Sequence, residues 1–179
     1  MIFAITSWAC IPKHSMEGCE CEDSQQSPYS PGLVQPGEGI VYCLIHPVDI
    51  ADPVTLAEAS SLMPREQLAE TRLSVCRANH STREIVQREV IDVRLGKPGR
   101  SFVGCWSAIC QTIRELRSGD GRAICVVDAG LPHYTGHAHL GFTQVVAAAN
   151  RSVQVAAKGE LLKAFKEAGV LPLVDCFAT

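Results

Sequence analysis

Two short apolar runs constrain this chain more than any other feature. They are Ile40-Val41-Tyr42-Cys43-Leu44-Ile45 and Ala123-Ile124-Cys125-Val126-Val127. Each is too short for an ordinary helix, rich in β-branched residues and flanked by turn formers: Gly39 and Pro47 around the first, Gly119-Asp120-Gly121 before the second. Such runs read as strands. The first does not alternate apolar with polar, so it implies cover on both faces of its sheet.

Around these strands the spacing predicts helices. Thr55 and Glu58 have capping-box spacing after Asp52-Pro53, and Pro64 starts a further helix. Leu73 and Val75 suit an extended segment. Ser81 with Glu84 repeats the capping box and opens an amphipathic helix to about Val93. Trp106, Ile109, Cys110, Ile113 and Leu116 share one helical face, so a helix is expected from Cys105. Residues 137–143 return as a strand after 123–127, forming a hairpin with a broad loop. Arg151 to Ala168 reads as helix ended by Gly169, with a break at Gly159, and 170–174 as a final extended piece. The sum is α+β: a single domain over residues 1–179, with a small mixed or antiparallel sheet packed by helices.

Composition narrows the function classes. The chain is 46% hydrophobic and 20% charged, with a net charge of −3. Its 16 Lys and Arg form no dense run, which disfavours nucleic acid as the main partner. Arg94, Lys97 and Arg100 read as a solvated loop. No apolar run is long enough to span a membrane. Residues 2–6 lack a preceding basic region and read as a core strand rather than a secretory signal. A cytoplasmic protein is expected.

Nine cysteines cannot all pair internally. Cys43, Cys76, Cys125 and Cys176 sit in apolar surroundings and read as reduced packing thiols. Residues 7–39 form a long, turn-rich, Cys-rich loop, and a connection of that length calls for something to hold it. Cys10, His14, Cys19 and Cys21 offer three thiolates and an imidazole, which suits a structural zinc ion. A second candidate metal set is Asp128, His137 and His139, because H-x-H on a strand puts both rings on one face.

Gly104-Cys105-Trp106-Ser107-Ala108 and Gly136-His137-Ala138-His139-Leu140-Gly141-Phe142 raise a further chemistry. A thiol at a helix start is favoured as thiolate, and a histidine on a nearby strand can serve as its base. The first string resembles the Cys-Trp helix start of papain-like peptidases, and the second resembles their His-bearing strand. That resemblance implies Cys105 as nucleophile and His137 as base, with Asn150 by chain order as the group that orients the imidazole. The Cys-His separation is far shorter than in papain, and no glutamine precedes Cys105.

Phosphate-binding and zincin motifs are absent, as is the serine nucleophile elbow. The expected function is therefore a binding or interaction module whose partner is another protein. The alternatives are a Cys-His hydrolase or a metal-dependent hydrolase with zinc.

Overall fold

The computed structural model describes residues 26–47 and 63–177. The expected strand at 2–6, the helix from Asp52 and the ligands Cys10, His14, Cys19 and Cys21 lie outside the described residues.

The strands are β1 (Gly39–Pro47), β2 (Leu73–Arg77), β3 (Arg100–Ile109), β4 (Arg117–Ser118), β5 (Gly121–Arg122), β6 (Ile124–Asp128) and β7 (His137–Phe142). Five of them form one sheet in the order β3-β1-β2-β7-β6, antiparallel at every pairing. β4 and β5 make a separate hairpin closed by Gly119 at φ +61°.

Helices cover both faces, as the unalternating β1 requires. On one face Ile40, Tyr42, Leu44, Val75, Trp106, Val126 and Leu140 pack with Ala157, Leu161 and Phe165 of the helix Arg151–Lys166. On the other, Val41, Cys43, Cys76 and Cys105 pack with Val86 and Ile91 of the helical residues 83–95 and with Cys176 and Phe177. Full burial of each large side chain contributes roughly 1.5–3 kcal/mol.

Four local expectations need correction. The helix expected from Cys105 begins at Cys110, and Cys105 lies inside β3. Residues 100–109 pair with β1 on both sides of a bulge at Val103, and a paired strand between two apolar layers overrides a short run of helical spacing. Ile109, assigned to the buried face of that helix, is 48% exposed. The helix Arg151–Lys166 runs through Gly159 without a break. Finally, Leu173–Cys176 is helical rather than extended. The cap at the helix from Arg83 is Thr82, whose Oγ1 accepts from Ile85 N, rather than Ser81.

The described part of the long loop is held by a guanidinium. Arg77, 1% exposed, donates to the Gly32 carbonyl, to Asp128 Oδ1 and to both carboxylate oxygens of Glu38. Burial alone would raise the Glu38 carboxyl. The hydrogen bonds from Arg77 and Gln35, with the Arg77 charge, outweigh it and hold Glu38 below its ordinary value.

Candidate functional site

β2 and β7 are neighbours, with Cys76 opposite His137 and Ser74 opposite His139. Side chains two apart on a strand share a face, so Ser74, Cys76, His137 and His139 all project from one side. Ser74 Oγ lies 2.7 Å from His137 Nε2. The other ring nitrogen, Nδ1, lies 3.0 Å from the Ala129 carbonyl. A carbonyl only accepts, so Nδ1 carries the proton and Nε2 accepts from the Ser74 hydroxyl. The Ala129 N–H in turn donates to the His137 carbonyl at 3.1 Å, which fixes both ends of the residue to the hairpin.

Burial is the main reason His137 sits below the ordinary histidine value. The Arg94 charge adds to the lowering, while Ala129 and Asp128 oppose it. His139 is lowered further, to about 4, by burial and then by His137 and Arg72. The two rings meet edge to face with centroids 4.7 Å apart. Both are neutral at pH 7, and a neutral imidazole bonded to a hydroxyl can act as a base.

Ser74 and His137 open on a cavity of about 270 Å³. Its wall also carries Arg94, Glu89, His133 and Tyr134, with His133 Nε2 3.3 Å from Glu89 Oε2. The volume suits a small molecule. Arg94, read from sequence as part of a solvated loop, is thus a wall of the cavity, brought there by the helical residues 83–95.

The structure places the other expected residues elsewhere. Cys105 stands on β3, with β1 and β2 between it and β7. Three strand spacings are about 14 Å, too far for a Cys-His hydrogen bond. The Cys105 thiol is raised, with the Cys176 hydrogen bond as first cause, and it does not stand at a helix start. Asn150 is the N-cap of the helix Arg151–Lys166, its Oδ1 accepting from Val153 N and from Ser152 Oγ. Asp128 pairs with Ala138, so it projects from the opposite face to His137 and His139 and bonds Arg77 there. Among the described residues no group of three or more His, Cys, Asp or Glu is arranged to hold a metal ion. No described helix is long and apolar enough to cross a membrane.

Sequence reasoning found His137 and missed Ser74. The partner was hidden because the contact depends on pairing β2 with β7, which are 63 residues apart at Ser74 and His137. The only local signal is a lone hydroxyl in Leu73-Ser74-Val75-Cys76. Comparison with protein-family models, with curated proteins and with solved structures finds no match.

Proposed function

We propose that this chain is a small-molecule hydrolase of the acyl-transfer type, with Ser74 as nucleophile and His137 as general base. One observation carries the reading: the 2.7 Å contact between Ser74 Oγ and His137 Nε2, with Nδ1 anchored on the Ala129 carbonyl. This has the logic of a nucleophile, a base and a group that orients the base, with a backbone carbonyl in the third role.

In this mechanism His137 Nε2 takes the hydroxyl proton as Ser74 Oγ attacks a substrate carbonyl. The proton then passes to the leaving group, and an acyl-serine remains. Water, activated by the same nitrogen, attacks the acyl carbon and regenerates the hydroxyl. Arg94 on the cavity wall offers positive charge to a substrate carboxylate or to the developing oxyanion. The preferred substrates are short esters, by cavity size, and anionic ones, by the Arg94 charge.

The test is labelling with a fluorophosphonate followed by peptide mapping, beside turnover of a short nitrophenyl ester. An adduct on Ser74, abolished in Ser74→Ala and His137→Gln, supports the reading. Labelling that ignores Ser74, or turnover unchanged in Ser74→Ala, ends it.

A second reading keeps the cavity and drops the chemistry. Val93 on its wall is 63% exposed and Leu131 is also exposed, giving an apolar rim that suits a binding module with a protein partner. Retention of a partner by Ser74→Ala, with no acyl adduct in the wild type, would favour it. Among the described cysteines Cys43, Cys76, Cys105, Cys110 and Cys176 are free thiols, whereas Cys125, expected from sequence as a reduced packing thiol, is disulfide-bonded, which argues against a strongly reducing compartment under either reading.

A further inference from the structure

The chain has two asparagines, Asn79 and Asn150, and each begins an N-x-S triplet: Asn79-His80-Ser81 and Asn150-Arg151-Ser152. Neither middle residue is proline, so both triplets have the acceptor pattern for N-linked glycosylation. Ser and Thr make up about 12% of the chain, so chance would give both asparagines this pattern in on the order of 1% of such sequences.

The fold leaves both amides open. Asn79 and Asn150 are exposed. Asn79 lies in the short turn Ala78–His80, between β2 and the helical residues 83–95, and borders an open cavity of about 500 Å³. Asn150 starts the helix Arg151–Lys166, and the cap uses its Oδ1, which accepts from Val153 N and Ser152 Oγ. A glycan replaces one hydrogen on Nδ2 and leaves Oδ1 as it is, so cap and glycan can coexist. Other parts of the surface are taken. The outer border of β3 carries the Leu171 segment, with Cys105 N donating to Leu171 O at 2.8 Å and Leu171 N donating to Cys105 O at 2.9 Å. The two asparagines stand on connections between elements, where a bulky group displaces no packed side chain.

The thiols supply an independent observation. Cys125 is disulfide-bonded, while the described free thiols Cys43, Cys76, Cys105, Cys110 and Cys176 are all buried and so shielded from pairing. Disulfides form and persist in an oxidising secretory lumen, the compartment in which glycans are joined to asparagine.

We propose that Asn79 and Asn150 carry N-linked glycans, added as the chain passes through such a lumen. The donor is an oligosaccharide joined to a lipid pyrophosphate. Nδ2 attacks the anomeric carbon of the first sugar, the N–C bond forms and the C–O bond to the pyrophosphate breaks. The lipid pyrophosphate leaves with the electron pair of that bond, and Nδ2 gives up one proton. Passage through the lumen replaces the cytoplasmic location expected from the sequence. The modification is independent of Ser74.

The experiment uses the full chain isolated from the cells that make it, digested to peptides and treated with peptide N-glycosidase in H₂¹⁸O. The enzyme converts a glycosylated asparagine to aspartate and inserts one ¹⁸O, a gain of about 3 Da at that residue. The label is expected at Asn79 and at Asn150. Asn79→Gln, at an exposed position, should remove the first label with the melting temperature kept within a few degrees. Ser152→Ala should remove the second while Asn150 still caps its helix, so that loss of the label is separated from loss of the fold. An unmodified asparagine at either position in the wild type overturns the proposal for that position. Label that appears without the glycosidase overturns it as well, and so does label at Asn150 that survives Ser152→Ala.

Discussion

Arg77 meets Glu38 through two hydrogen bonds, Nε to Oε2 at 2.8 Å and Nη2 to Oε1 at 2.7 Å, both in the buried interior. The same guanidinium reaches Asp128 at 3.0 Å, so one cation neutralises two buried carboxylates. Removing it leaves both charges without their partner in a low-dielectric site. Arg77→Met is expected to cost about 3–5 kcal/mol in urea unfolding, far more than a surface substitution. Because Arg77 also holds the Gly32 carbonyl, proteolysis near residues 27–38 should accelerate in the same variant.

The two half-buried histidines make stability depend on pH with a definite sign. His139 titrates at about 4 in the fold against 6.5 as its ordinary value, and His137 is lowered as well. Between those values the unfolded chain binds more protons than the folded one. Stability is therefore complete above about pH 6.5 and falls as the pH drops toward 4. His139 alone accounts for a loss on the order of 3 kcal/mol. Urea midpoints at pH 7.5 and 4.5 would show it, and His139→Gln should flatten the difference.

If His137 is the base for Ser74, labelling by a fluorophosphonate follows the fraction of neutral His137. Its acid limb should lie below pH 6.5, because burial lowers that imidazole. A rate that is half-maximal above pH 7 would assign the titration to another group.

Asn150 supplies a clean contrast. It caps the helix Arg151–Lys166, so Asn150→Ala should destabilise by about 1 kcal/mol. Ser74 labelling by the same probe, compared under folding conditions, should not change.

Gly104 sits at φ +152°, and a Cβ there would meet the Leu171 carbonyl oxygen at 2.9 Å. Gly104→Ala therefore combines backbone strain with a clash against backbone, which side-chain repacking does not relieve. A loss of about 2–3 kcal/mol in thermal or urea melts is expected.

How far the sequence is legible depends on the range of the contacts involved. β1, the 123–142 hairpin and the helix Arg151–Lys166 follow from local signals: an apolar run, turn formers and a terminal glycine, whereas Asn150, read from sequence as an imidazole-orienting group, proves to be the helix cap. β3 is misread because Trp106, Cys110 and Ile113 are buried at helical spacing while the chain up to Ile109 is committed to a strand. Only the nine-residue pairing with β1 reveals this, and a pairing is not a local property. The candidate site fails in the same way. His137 is visible as half of an H-x-H pair. Ser74, Arg94 and the Ala129 carbonyl become its partners only when β2, the helical residues 83–95 and the hairpin loop converge. Arg77 passes unnoticed as one charge among many, because nothing in its neighbours announces that two acids from distant segments will surround it.

The two-way bridge between Cys105 and Leu171 has a bearing on how the molecule behaves in company. β3 is the outer strand of its sheet, and an outer strand exposes a row of amide and carbonyl groups onto which another chain can add. Leu171 occupies that row at its middle, just after Gly104 allows the chain to come close. A second copy trying to extend the sheet along this border would have to displace a tethered segment of the same molecule, which is present at far higher local concentration. The carboxy-terminal turn thereby guards the β3 border against edge-to-edge aggregation.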